Sequence, residues 1–144
     1  MRNQDGSIGD LLSYDVPDSD GARLVLFAIR RMGVAGLQDA HATHALIGAF
    51  GLSYRRPLVL VRALVAELSR MSTRSILIAP LCCVRMTAGE SALIGAIGMA
   101  GDAPHAAHDM LSGLCGVPTC LGLLSSAQAV EQAFADLGRP IVPN

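Results

Sequence analysis

The sequence predicts an all-α fold, a compact orthogonal or bundle-like array of about six short helices, and three observations carry that expectation. Apolar residues recur at helical spacing in segment after segment, and Gly and Pro punctuate the chain between those segments. Apolar residues make up 51% of the chain while aromatics make up only 3%. A core drawn from Leu, Ile, Val, Ala and Met favours closely approaching helices over an aromatic-rich sheet. At 144 residues the chain fits one domain and needs neither a metal nor a disulfide merely to fold.

Taken in order, residues 1–19 lack sustained periodicity and read as a flexible acidic N-terminal arm, with Leu11, Leu12 and Tyr14 available to dock it on a single helical domain of residues 20–144. Asp20 is the expected N-cap of "GARLVLFAIRRM", which places Leu24, Phe27, Ala28 and Met32 on one face before Gly33. After a break at residues 34–36, a second helix runs from Leu37 or Asp39 to Phe50 and is closed by Gly51. The third is the longest, with Ser53 as its cap, Pro57 in its first turn, and Leu58, Val61, Leu64, Val65, Leu68 and Met71 as its apolar stripe. "SILIAP" has a β-like run but no second strand to pair with, so it reads as a buried linker.

Thr87 followed three residues later by Glu90 fits a capping box opening the fourth helix. Its Gly95, Gly98 and Gly101 suit close helix packing better than a phosphate cradle. Asp102 and Pro104 open the fifth helix, which ends near Cys115 or Gly116. Ser125 and Gln128 repeat the capping-box pattern before "AQAVEQAFADL", whose inward face is Ala129 or Val130, Ala133, Phe134 and Leu137, with Gly138 and Pro140 as terminators.

The formal net charge is -1, but its distribution is lopsided. Residues 21–85 carry nine Arg against Asp39 and Glu67, whereas residues 1–20 and 86–144 are each acidic. The middle third therefore presents a positive face either to a partner or to the protein's own acidic ends. No basic start followed by an apolar run marks an export signal, so the four cysteines are expected as thiols or thiolates in a reducing cytoplasm. The longest uncharged stretch, Met110 to Val130, contains Pro118, three Gly and three Ser, and is too weakly hydrophobic for a lipid-exposed span.

Two sets of residues have metal-ligating chemistry. Cys82 and Cys83 lie just before the capping-box helix, whose N-terminus favours a thiolate, with Arg85 placed to stabilise the charge without ligating. Adjacent residues in extended backbone point opposite ways, so both serve one site only if a special turn bends the chain. Cys115 and Cys120 flank "GVPT"; brought beside the first pair they would offer four thiolates to zinc or an iron-sulfur cluster, and by themselves they form the better redox pair. The competing set is His41 with His44 and His105 with His108, each pair three residues apart on one helical face. Facing one another, those helices would bind zinc, iron or manganese, with Asp39, Asp109, Glu67 or Glu90 adding a carboxylate, and haem or mixed Cys/His ligation is a further alternative. A Cys/His nucleophilic pair fits the same residues. The bland readings stand beside these: cysteines that only pack, and histidines satisfied by water.

No GxSxG, GxGxxG, Walker loop or HExxH occurs, so hydrolase, dinucleotide, nucleotide-triphosphate and common zinc-protease chemistry receive no motif support. The non-enzymatic alternative rests on Arg30, Arg31, Arg55, Arg56, Arg62, Arg70 and Arg74, whose forked guanidinium groups suit an acidic protein partner or, less well given the charge near zero, nucleic acid. Self-association into a homo-oligomer through an exposed apolar helix is the other expectation for partners; no membrane partner is expected. The stretches "GLSYRRPLVLVRALVAELSR", "CCVRMTAGE" and "AFADLGRP" resemble an uncharacterised family of small alphaproteobacterial proteins of unknown function across residues 24–140. That resemblance implies a bacterial setting and transfers no activity.

Overall fold

Among the described residues, apolar periodicity and local capping mark out six helices. The computed structural model describes residues 12–143, so Leu11 and the rest of the expected arm up to it lie outside the described residues. The helices are α1 (Asp20–Ala35), α2 (Ala40–Phe50), α3 (Arg55–Met71), α4 (Ala88–Met99), α5 (Pro104–Cys115) and α6 (Leu121–Asp136). A 3-10 turn, Gly51–Ser53, leads from α2 into α3. Two short strands, β1 (Tyr14–Asp15) and β2 (Arg85–Met86), pair antiparallel with Tyr14 opposite Met86. The all-α expectation holds, and among the described residues no helix is long and apolar enough to cross a membrane.

The caps explain where the helices begin, and three of them differ from expectation. Ser19, not Asp20, caps α1: its Oγ accepts the Ala22 N–H at 3.2 Å and its hydroxyl also reaches the Val142 carbonyl at 3.0 Å. The short hydroxyl at Ser19 thus ties the start of α1 to the C-terminal tail. α1 runs past Gly33 to Ala35 because the positive φ that ends it falls at Gly36. Ser53 is taken up in the 3-10 turn, and α3 starts without a side-chain cap.

The largest difference is α6, which starts at Leu121, ahead of the expected Ser125 box. Its Gln128 instead donates from Nε2 to the Ala100 carbonyl at 3.1 Å, satisfying the end of α4 from across the interface. A tertiary hydrogen bond therefore took the side chain that a local box would have used. Elsewhere local signals sufficed. Thr87 and Glu90 form the full capping box of α4, Asp39 caps α2, and Gly116 ends α5 in the left-handed region at φ 71°.

The core is the common interior of the six helices. α3 lays its buried Leu58, Val61, Leu64, Val65 and Leu68 against α6, whose Leu123, Ala127, Val130, Ala133 and Phe134 face back; Leu137 is half-buried. α4 packs on α5, and α1 sits across α2, α3 and α4 through Val25, Leu26, Ala28, Ile29 and Met32. Leu24 and Phe27 are only half-buried, because the true inward face of α1 is rotated from the expected one. Gly95, Gly98 and Gly101 do lie against neighbours, namely Met110, Pro143 and Glu131. The "SILIAP" segment is not a strand, as expected, but only Ala79 of it is buried, and Leu77 is 53% exposed.

Candidate functional site

The site is built outward from a buried ion pair. The capping box fixes Glu90 at the start of α4, and α1 carries Arg30 past it, four residues after the buried Leu26. Arg30 donates from Nε to Glu90 Oε2 at 2.8 Å and from Nη2 to Oε1 at 3.0 Å. Glu90 also accepts the Ala79 N–H at 3.1 Å and the Thr87 N–H at 3.0 Å, so its carboxylate is saturated. Arg30 has further donors, and these reach the loop: Nη1 to the Cys83 carbonyl and Nη2 to the Arg85 carbonyl, both at 2.9 Å. With Arg30 4% and Glu90 1% exposed, neither charge has water as an alternative partner.

That pair holds the segment carrying Cys82 and Cys83. Its backbone makes a turn, closed by the Cys83 N–H donating to the Pro80 carbonyl at 3.0 Å, and then joins β2. The turn overrides the expectation for extended chain. Cys82 and Cys83 both line one depression of about 380 Å³ between the loop and α1. Leu26 and Phe27 of α1, Val16, and Leu81 and Val84 of the loop form its apolar wall; Arg23 and Arg30 supply the charge. Arg30 is neutralised by Glu90, whereas the exposed Arg23 donates its Nε to the Pro17 carbonyl at 2.7 Å. Cys82 is exposed and Cys83 half-buried, both as free thiols.

Arg85 does not have the role expected of it. It donates to the Leu12 and Ser13 carbonyls at 2.6 Å each and pairs with Asp15 at 3.0 Å, because its strand is stitched to β1. Arg30, reached through the fold, is the arginine that grips the cysteine loop.

The second pair sits in a different environment. Cys115 closes α5 and Cys120 precedes α6, both buried, with Cys120 Sγ 3.4 Å from Ser112 Oγ. Burial pushes the Cys115 thiol up, the nearby Cys120 adds to the rise, and a hydrogen bond with Ser72 opposes it. A thiol so placed stays protonated and packs. His108 Nε2 accepts the Cys120 N–H at 3.1 Å, which assigns its proton to Nδ1 and makes it a brace for the α5–α6 turn. His41, His44 and His105 are exposed on α2 and at the start of α5. Since α2 packs chiefly on α1 while α5 packs on α4 and α6, the two histidine pairs do not face each other. Among the described residues, no three His, Cys, Asp or Glu side chains form a group that could hold a metal, the expected ligands Cys82, Cys83, Cys115, Cys120, His41, His44, His105 and His108 included.

Asp39 and the arginines are similarly engaged within the fold. Arg31 grips Asp39 through two bonds of 2.7 and 3.0 Å, and this, more than the Ala42 N–H, lowers the Asp39 pKa to about 2. Arg56 pairs with Asp136 at 2.9 Å and Arg70 with Glu67 at 2.7 Å. Arg62 donates to the Leu37 carbonyl at 2.8 Å and Arg74 to that of Gly113 at 3.1 Å, while Arg55 lies 5.6 Å over the Tyr54 ring. Much of the positive middle third is thus turned on the protein's own carboxylates and carbonyls.

Sequence reasoning missed the Arg30–Glu90 pair. Its one local trace is that Arg30 stands in register with the buried row of α1, where a charge needs a partner.

The chain belongs to the family of unknown function DUF6628, which it matches over residues 5–138. No curated protein and no solved structure matches it.

Proposed function

We propose that this DUF6628 protein is a thiol-bearing binding module whose working surface is the depression between α1 and the Pro80–Cys83 turn, with Cys82 and Cys83 as its reactive groups. The observation that carries the reading is that both cysteines line one depression together with an apolar wall and Arg23. Such a surface suits a small ligand with an apolar body and an anionic end: burial of the body supplies affinity and Arg23 supplies orientation. The setting assumed is a reducing bacterial cytoplasm, as the resemblance of the sequence implies.

A thiol probe of that shape tests it. An aromatic dicarboxylate disulfide reacts by attack of the cysteine sulfur on the reagent's S–S bond; a protein–reagent disulfide forms, the S–S bond breaks, and the aryl thiolate leaves as the cysteine proton passes to solvent. Cys82 and Cys83 are expected to react in the native protein, faster with the anionic reagent than with a neutral pyridyl disulfide, and Arg23→Ala should remove that preference. Native protein in which Cys82 and Cys83 react no faster than Cys115 would overturn the reading.

The arginine-rich interaction reading has less support, since Arg30, Arg31, Arg56 and Arg70 already hold carboxylates. An acidic partner would have to displace those bonds.

A further inference from the structure

We propose that residues 75–79 form an open β-edge and that a second copy of this chain pairs with it, antiparallel, about a two-fold axis at Leu77. None of these residues lines the cysteine depression.

The hydrogen bonds of the segment fall on alternate residues, as they do in extended chain. The Leu77 carbonyl accepts the Thr87 hydroxyl at 2.7 Å and the Ala79 N–H donates to Glu90 at 3.1 Å, so residues 77 and 79 turn these groups toward the capping box of α4. Ile76 and Ile78, out of phase with them, turn theirs to the opposite edge. The side chains alternate as well: Ile76 lies against Gly89 of α4 and Ile78 against Gly33 of α1, while Leu77 between them is 53% exposed. One edge is taken by α4 and the other is open.

Among the described residues, the N–H and C=O groups of Ile76 and Ile78 have no hydrogen-bond partner. The open edge ends on both sides of them. Ser72 Oγ donates to the Arg74 carbonyl at 2.6 Å and accepts the Arg74 N–H at 3.3 Å, whereas Pro80 has no N–H and its carbonyl accepts the Cys83 N–H at 3.0 Å. With both ends closed, pairing stops at a dimer and does not extend into a longer sheet.

The second copy matches this edge in full. In an antiparallel pair centred on Leu77, Ile76 stands opposite Ile78 of the second copy and each exchanges both bonds with the other, so the two symmetric exchanges use every open group on both edges. Leu77 then meets its own counterpart at a non-hydrogen-bonded position, with Cα atoms about 4.5 Å apart, where each exposed side chain covers the other. Arg74 falls opposite Pro80, so no like charges oppose each other along the pairing.

The test is sedimentation of the full chain over about a hundredfold range of concentration, with amide exchange followed in the same samples. The expected result is a molar mass that doubles as concentration rises, with exchange slowed at Ile76 and Ile78 but not at Leu77. Ile78→Pro removes one ladder donor from each copy and should weaken the dimer roughly tenfold or more. Leu77→Lys, at an exposed position that leaves the fold intact, sets like charges opposite each other across the axis and should weaken it measurably. A chain that stays monomeric throughout overturns the pairing, and so does a dimer that either variant leaves unweakened. A monomer in which a synthetic peptide copying residues 74–80 slows exchange at Ile76 and Ile78 overturns the second copy and gives the edge to a foreign strand.

Discussion

Cys82–Cys83 and Cys115–Cys120 are the same chemical groups in opposite circumstances. The first pair sits on a surface turn held by bonds from Arg30; the second is buried around the α5–α6 turn, where Ser72 from the end of α3, Ser112 and His108 supply polar contacts. One pair, exposed at Cys82 and half-buried at Cys83, lies on a loop that a buried charge anchors. The other is buried where the helices close over it. Cysteine count and spacing therefore say little about thiol function until burial and anchoring are known.

The strongest way to break the contrast is to remove the anchor. Glu90→Ala leaves Arg30 charged and unpaired in the core, and the expected loss is about 3–5 kcal/mol in denaturant unfolding. Arg30→Met with Glu90→Met, which removes both charges, should recover much of that stability while loosening the cysteine loop, read as faster hydrogen exchange over residues 79–86. A double variant as unstable as Glu90→Ala would show that the pair does more than neutralise itself. Next in size, Cys115→Ala should cost about 1–2 kcal/mol by opening a small cavity, against no more than about 0.5 kcal/mol for Cys82→Ala. Equal costs would erase the distinction between the pairs. Thr87→Ala removes the hydroxyl that accepts the Glu90 N–H at 3.0 Å and should cost about 1 kcal/mol in the same assay.

The mildest effect concerns pH. Asp39 is held at about 2, chiefly by Arg31, below the roughly 3.9 of an unfolded aspartate. A depressed carboxylate stabilises the fold fully above the unfolded value, and that contribution fades as pH falls from about 4 through about 2. Unfolding midpoints followed across that window should fall in the native chain more than in Asp39→Asn, and parallel curves would remove Asp39 from the account. Because the Arg31–Asp39 bond joins α1 to α2, the cysteine depression should be unaffected, which separates this pair from Arg30–Glu90.

By itself the sequence determined what depends on neighbours within a turn or two. The helical stripe of α3, the Thr87–Glu90 box, the Asp39 cap and the ends at Gly51 and Gly116 are all short-range arrangements of backbone and adjacent side chains. For the site, it identified the thiols and placed them before a capped helix. Only the tertiary structure decided that Arg30 meets Glu90 across 60 residues, that Arg30 also reaches the Cys83 carbonyl, and that Gln128 leaves its local box for Ala100. The physical reason is common to all three. A buried polar group takes whichever partner the packed helices bring within reach, and that choice is made by the docking of α1 on α4 and α4 on α6, which no local pattern records.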